Sequence, residues 1–223
     1  MAKKIEPRVI IIPPLKKTEF EVRLVGDRPL MVSNKLSVIE ELDRIYGGSG
    51  GKASAVAKTK ASSDEQYAAA FYVMPDSKHS PPDQRALYGI PTSGIKKCAT
   101  AAVRMTGIND NTTVGLIGKS FFIMSDGGGL SRLHFKKLER DVRGVNIGSG
   151  QKTVPQLRHR PMFHDWYVDL RISFNEKILS PEQIVNLLAH AGQYIGLCEM
   201  RAQKNQGECG GFIVETVGKA RRK

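Results

Sequence analysis

Two histidines, one aspartate and two arginines fall within ten residues of this chain, in the run Arg158-His159-Arg160-Pro161-Met162-Phe163-His164-Asp165-Trp166-Tyr167. Three chemistries can be written for such a run. A metal centre needs a third and fourth ligand from elsewhere, with His134, Cys198 or Glu199 as the available types. His159 and His164 are five apart across a proline, which by default puts them on one face of neither a helix nor a strand. A nuclease would use His164 as general base with a divalent metal. The third chemistry is phosphate contact by Arg158, Arg160 and His159, with an aromatic side chain as a stacking surface. This last reading is the favoured one. Trp166 is in phase with Val168 and Leu170 and is expected in the core, whereas Tyr167 is out of phase and placed to stack. No Ser-His-Asp or Cys-His pattern accompanies the run, so no enzyme, resident metal or cofactor is expected.

The distribution of charge points the same way. The formal net charge is +12, and three stretches account for it. Residues 47–63 carry Lys52, Lys58 and Lys60 with no acid. Residues 132–160 carry Arg132, Lys136, Lys137, Arg140, Arg143, Lys152, Arg158 and Arg160 against Glu139 and Asp141. The tail 218–223 carries Lys219, Arg221, Arg222 and Lys223. A near-neutral body with basic, Gly-rich appendages suits a protein that holds a polyanion, most simply nucleic acid. The Gly-Gly-Ser-Gly-Gly-Lys stretch superficially resembles a phosphate-binding loop. However, Tyr46 stands where the first glycine belongs and Ala53 where Ser or Thr belongs, which excludes a nucleoside-triphosphate site of that kind.

The elements that must position these residues are legible in part. Residues 19–25 alternate polar and apolar, as in a strand with one buried face. Gly26-Asp27-Arg28-Pro29 turns the chain, and Leu30-Met31-Val32 follows as a short apolar step. Leu36, Ile39, Leu42 and Ile45 recur at helical spacing up to Gly47. Residues 47–63 read as a flexible basic insertion, and Tyr67 to Met74 as a short helix passing into a strand. Thr92-Ser93 is expected to cap a helix carrying Ile95, Cys98, Ala99, Ala102 and Val103 inward, ended by Gly107. Val114 to Met124 is expected to form one or two strands, bent at Gly115 and Gly118. Trp166 to Phe174 alternates strongly. Ser180-Pro181-Glu182-Gln183 is a capping box before an apolar face of Ile184, Leu187, Leu188 and Ala191, closed by Gly192 and Gly196. Gly210-Gly211-Phe212-Ile213-Val214 starts a final strand. This order predicts a single α+β domain over 1–223, with a ferredoxin-like, RRM-like sheet, helices on one face, long inserted basic loops at 47–63 and about 132–160, and a basic tail at 218–223. His190, Glu199 and Arg201 are read as structural, the last two as an ordinary salt bridge.

Three segments together carry a family resemblance: Val25 to Val32, Gly89-Ile90-Pro91-Thr92-Ser93-Gly94-Ile95-Lys96-Lys97-Cys98-Ala99, and Ile195 to Arg201 with Gly210-Gly211-Phe212. In these the chain resembles the RAMP superfamily, RRM-like proteins with a glycine-rich segment after a late helix. That superfamily includes the subunits that coat guide RNA in CRISPR effector complexes. The chain also resembles phage proteins of similar layout. The resemblance implies projecting flexible loops, assembly along a strand, and a binding role for Lys96, Lys97, Arg201, Gly210 and Gly211. The segment from Cys198 to Phe212 is less dense in glycine and basic residues than the family's usual loop.

The expectation from sequence is therefore a cytoplasmic protein that coats single-stranded RNA or DNA with little sequence preference and assembles as a homo-oligomer or multi-subunit complex. Three cysteines without a CxxC pair fit a reducing compartment. No apolar run approaches the roughly 18–20 residues that cross a bilayer. The alternatives are a phage or virus-like structural assembly protein and, less favoured, the metal-dependent nuclease.

Overall fold

The computed structural model describes residues 14–34, 62–147, 154–204, 207–216 and 221–222. The helix expected over 36–45 lies outside these, as do Lys52, Lys58, Lys60 and Lys152. The described chain is α+β, with antiparallel sheets and four α-helices.

The two strongly alternating segments form the centre of the larger sheet. In β1 (Lys17–Gly26) Thr18, Phe20, Val22 and Leu24 are buried, and in β8 (Tyr167–Asn175) so are Val168, Leu170, Ile172 and Phe174. Between them Glu21, Asp169 and Arg171 are exposed, because successive side chains of a strand point to opposite faces. β1 and β8 pair antiparallel from Lys17↔Asn175 to Val25↔Tyr167. β9 (Phe212–Thr216) and β10 (Arg221–Arg222) share the other edge of β1. On the far side of β8 lie β4 (Phe121–Met124) and β5 (Leu130–His134), with β3 (Tyr88–Pro91) beyond β5. A second sheet has the order β2 (Leu30–Met31), β7 (Val154–His164), β6 (Lys137–Ile147).

The buried face of the larger sheet is covered by α2 (Thr92–Ala102) and α4 (Pro181–His190). They contribute Ile95, Ala99 and Ala102, and Ile184, Leu187 and Leu188, to one continuous core. Each fully buried large aliphatic among these stabilises the fold by roughly 1.5–3 kcal/mol. The capping box of α4 is as expected: Gln183 N donates to Ser180 Oγ at 3.3 Å and Ser180 N to Gln183 Oε1 at 2.9 Å. The helix then runs on past Gly192 through a π-turn (Ala191–Ile195) and closes at Gly196, the second of the two expected glycines. Aromatic rings join the second sheet to this core, with Phe163 of β7 at 5.5 Å from Tyr88 and 4.8 Å from Phe135 between ring centroids. Trp166 is buried, as its phase predicts, and its indole N–H donates to the Arg28 carbonyl at 2.7 Å.

Several sequence expectations are corrected. Asn111–Ser120 is a helix, α3, not a strand. The Asp110 carboxylate accepts from Thr113 N and Thr113 Oγ1, both at 2.7 Å, which nucleates the helix where an apolar run alone suggested extended chain. Only Phe121–Met124 of that stretch is a strand, and Gly118 is a helix-packing position facing Thr100 rather than a bulge. The basic span 132–160 is for the most part not a loop, since β6 and β7 form a ladder of eleven residue pairs from Lys137↔His164 to Ile147↔Val154. Helix α1 (Ser63–Ala69) begins four residues before the expected start, through a Ser62–Glu65 capping box. Thr92 does not cap α2; its hydroxyl donates to the Gly129 carbonyl at 3.0 Å, and Pro91 occupies the cap position. Arg221 and Arg222 of the basic tail pair with Glu19 and Thr18 of β1.

Candidate nucleic-acid interface

The three segments that carry the family resemblance meet in space. Asp27 N donates to Gly211 O (3.2 Å), Gly210 N to Pro29 O (2.8 Å), Leu197 N to Gly210 O (2.8 Å) and Glu199 N to Met31 O (2.9 Å). The Cys98 thiol of α2 donates to the Gly196 carbonyl at 3.2 Å, tying the helix to the late segment. Gly210 has φ +72, and a Cβ there would lie 2.0 Å from the Leu197 carbonyl oxygen, so this crossing requires glycine. Gly210 and Gly211, given a binding role by the resemblance, are both buried at this crossing. The segment 196–200 is held in an unusual conformation, with positive φ at Gly196, Cys198 and Met200.

Between α2 and this segment lies an open cleft of about 420 Å³. Ser93, Gly94 and Lys97 line one side, and Glu199, Arg201 and Gln203 the other. Pro91 offers the helix start no side-chain cap and the first turn holds no acid, so the positive end of the helix dipole sits at the cleft. Arg201 donates to the Cys198 carbonyl at 2.7 Å, and Glu199 pairs with Lys204 at 3.4 Å rather than with Arg201, which corrects the expected Glu199–Arg201 bridge. Burial pushes the Cys98 and Cys198 thiols up to about 12, so both are neutral near pH 7 and supply no nucleophile.

On the opposite flank of Lys97, α2 and Val114 of α3 line a shallow, open, apolar-floored groove of about 450 Å³, with Lys96, Lys97, Thr100 and Arg104 around it. Arg104 is held by Asn109 O and Asn111 Oδ1 at 3.3 and 2.6 Å. Lys96 lies over the Phe122 ring at 4.0 Å from its centroid. Lys96 and Lys97 make no ion pair among the described residues.

The cations of β5 and of the β6–β7 hairpin behave differently. Arg132 of β5 pairs with Asp76, and in the hairpin Lys137 pairs with Glu139 and Arg143 with Asp141 at 2.7 Å. Arg140 is a clamp on α1: it bonds Asp64 Oδ1 and the Ser63 carbonyl at 2.5 and 2.6 Å, and lies over the Tyr67 ring at 4.8 Å. It also donates to His159 Nδ1 at 3.2 Å, and burial with the Arg140 charge holds His159 below its ordinary pKa. Arg160 is 6% exposed and faces Asp141 at 3.5 Å, so it is a core residue and not a phosphate contact. Arg158 is half-buried and engaged within the protein. Lys136 is exposed beside the β5–β6 turn.

The 158–167 run is split between the two sheets, with residues 158–164 in β7 and Tyr167 in β8. His164 Nε2 lies 2.8 Å from Glu139 Oε2, on the hairpin and apart from His159. Among the described residues no group of three or more His, Cys, Asp or Glu is placed to hold a metal ion. Tyr167 already has a neighbour on each flanking strand: His134 of β5 stacks on it at 4.5 Å and 5°, and Arg23 of β1 lies 4.3 Å from its centroid. Tyr167 is part-exposed on the face opposite the core, as its phase predicts, with these two neighbours beside its ring. Ser93, expected only as part of a cap, lines the cleft, and Phe122 beneath Lys96 had no signal in the spacing.

Compared with known proteins, the chain matches no family model and no curated protein.

Proposed function

We propose that this protein binds single-stranded nucleic acid through α2 and the cleft beside it, by backbone charge and with little sequence preference. The observation that carries the reading is the contrast between two sets of cations. Those of the hairpin are largely matched by the protein's own carboxylates, whereas Lys96 and Lys97 have no carboxylate partner among the described residues and stand near a helix start without a side-chain cap, opposite Arg201. Unpaired lysines beside backbone N–H groups suit phosphates and carry no base information.

The sheet supports a ferredoxin-like reading. The strands β9-β1-β8-β4 lie in that order, antiparallel throughout, with β3, β5 and the β6–β7 hairpin as additions. The RAMP-like reading, with self-assembly along the bound strand, draws support from the meeting of its three sequence segments at one place. A cytoplasmic setting fits three free cysteines, and among the described residues no helix is long and apolar enough to cross a membrane.

The test is fluorescence anisotropy with labelled single-stranded DNA, single-stranded RNA and duplex at about 50 and 200 mM salt. Salt-sensitive binding to a single strand, weakened about tenfold at low salt in a Lys96→Ala/Lys97→Ala variant, is the expected result. Flat anisotropy with all three probes at low salt removes the reading and moves the structural assembly alternative to first place.

A further inference from the structure

We infer that Phe122 is a stacking platform for a nucleobase, and that Lys96 and the α2–α3 groove complete a binding position for one nucleotide of the bound strand. The inference rests on the single-strand reading above and adds to it a specific aromatic contact on the far side of Lys97.

Phe122 is 56% exposed, although it belongs to a strand of the larger sheet. Its neighbours in sequence explain why: Phe121 is fully buried in the core, and alternation turns Phe122 outward. β4 pairs with β8 on one side only, so Phe122 stands at a sheet edge, next to the helices and not in the middle of the open face. Tyr194 is the other strongly exposed aromatic among the described residues, and its ring stacks on His190 at 5.8 Å and 19°. At the sheet centre, Tyr167 is flanked by His134 and Arg23. Phe122, the most exposed aromatic among the described residues, lies at the β4 edge, and the neighbour over its ring is the flexible ammonium of Lys96 at 4.0 Å.

The charge around this ring selects the ligand. Residues 92–124 contain Lys96, Lys97, Arg104 and Lys119, and Asp110 as the single acid. Asp110 is occupied as the cap of α3, where the Thr113 N–H and hydroxyl hold its carboxyl below the ordinary range. Lys96, Lys97 and Lys119 have no carboxylate partner among the described residues. An exposed ring and an apolar-floored groove lined by Lys96 and Lys97, neither with a carboxylate partner among the described residues, fit a ligand that pairs a flat π surface with an anion, which is a nucleotide within a strand. The groove, at about 450 Å³, is within the range of small-ligand sites.

The experiment uses the full chain with two labelled probes of equal length, oligo-dT and an abasic oligomer with the same backbone, at about 50 mM salt. Wild-type protein is expected to bind oligo-dT about tenfold tighter than the abasic strand. Phe122→Ala should erase that preference by weakening oligo-dT binding alone, and Phe122→Trp should retain it. An unchanged unfolding midpoint for Phe122→Ala establishes that the exposed site, not the fold, was altered. If Phe122→Ala binds both probes as wild type does, or loses both equally, the inference is overturned while the backbone-charge reading stands. If wild type binds neither probe, the reading of the function falls and the inference falls with it.

Discussion

Arg160 and Asp141 face each other across the β6–β7 ladder with side chains each 8% exposed, and Asp141 also accepts from Arg143 at 2.7 Å. Two guanidinium groups thus share one carboxylate in a place where water is scarce. Removing the carboxylate leaves Arg160 charged and uncompensated, so Asp141→Ala is expected to destabilise the protein by about 3–5 kcal/mol in urea unfolding. Arg160→Met removes the buried charge and fills much the same volume, and is expected to be near neutral; a loss as large as that of Asp141→Ala would show that Arg160 contributes more than it costs to bury. His134 gives a pH-dependent counterpart. Burial, with Arg132 and Arg23 nearby and Asp169 opposing, holds its imidazole below the ordinary value. The unfolded chain then takes up a proton first as pH falls through about 6.5, so stability drops between there and the lower folded value. His134→Phe, which keeps a ring against Tyr167, should reduce the fall in unfolding midpoint between pH 7.5 and 5.5 without abolishing it, because His159 is shifted in the same direction. At this scale the sequence was readable where phase decides, as for Trp166 and Cys98 in the core. It was unreadable where pairing decides: Arg140, Arg143 and Arg160 look alike in a one-dimensional charge count, and their partners on α1, on the same strand and across the ladder separate a clamp, a surface pair and a core ion.

The elements differ in how much of their cause is local. β1, β8 and α4 carry it entirely in their own residues, as strict alternation or as the Ser180–Gln183 capping box, and these were legible. α3 and the β6–β7 hairpin were not. The run Val114-Gly115-Leu116-Ile117 has a strand's composition, and its helical state is decided by Asp110 four residues upstream. In the hairpin, charge obscured period: Leu138, Val142 and Val145 are spaced among ions whose number suggested solvated loop. Asp110→Ala accordingly tests the helix reading of 111–120. A loss of about 1 kcal/mol is expected from the missing cap, together with weaker protection of the α3 amides in hydrogen exchange. A variant with unchanged stability and protection would mean that α3 is held by its packing on α2 instead.

For the whole molecule, the formal charge of +12 is not one field. Carboxylates of the same chain hold Arg132, Lys137, Arg140 and Arg143, and a paired cation has few counterions to release when a polyanion arrives. Lys96 and Lys97 have no such partner among the described residues, and Lys52, Lys58 and Lys60 lie in a stretch of sequence without acids. Salt dependence separates these groups where affinity alone does not. Each phosphate contact on a single strand adds about 0.7 to the slope of log K against log salt. Lys96→Ala/Lys97→Ala should therefore lower the slope by about 1.4, and a Lys52, Lys58 and Lys60 triple alanine variant by about 2, each without a shift in unfolding midpoint. Arg140→Ala/Arg143→Ala should leave the slope nearly unchanged and lower the midpoint, because it releases α1 from the hairpin and leaves Asp141 with Arg160 as its remaining partner. The opposite pattern, a large change of slope from the arginines and none from the lysines, would place the bound strand along the hairpin and show that these ion pairs open to phosphate.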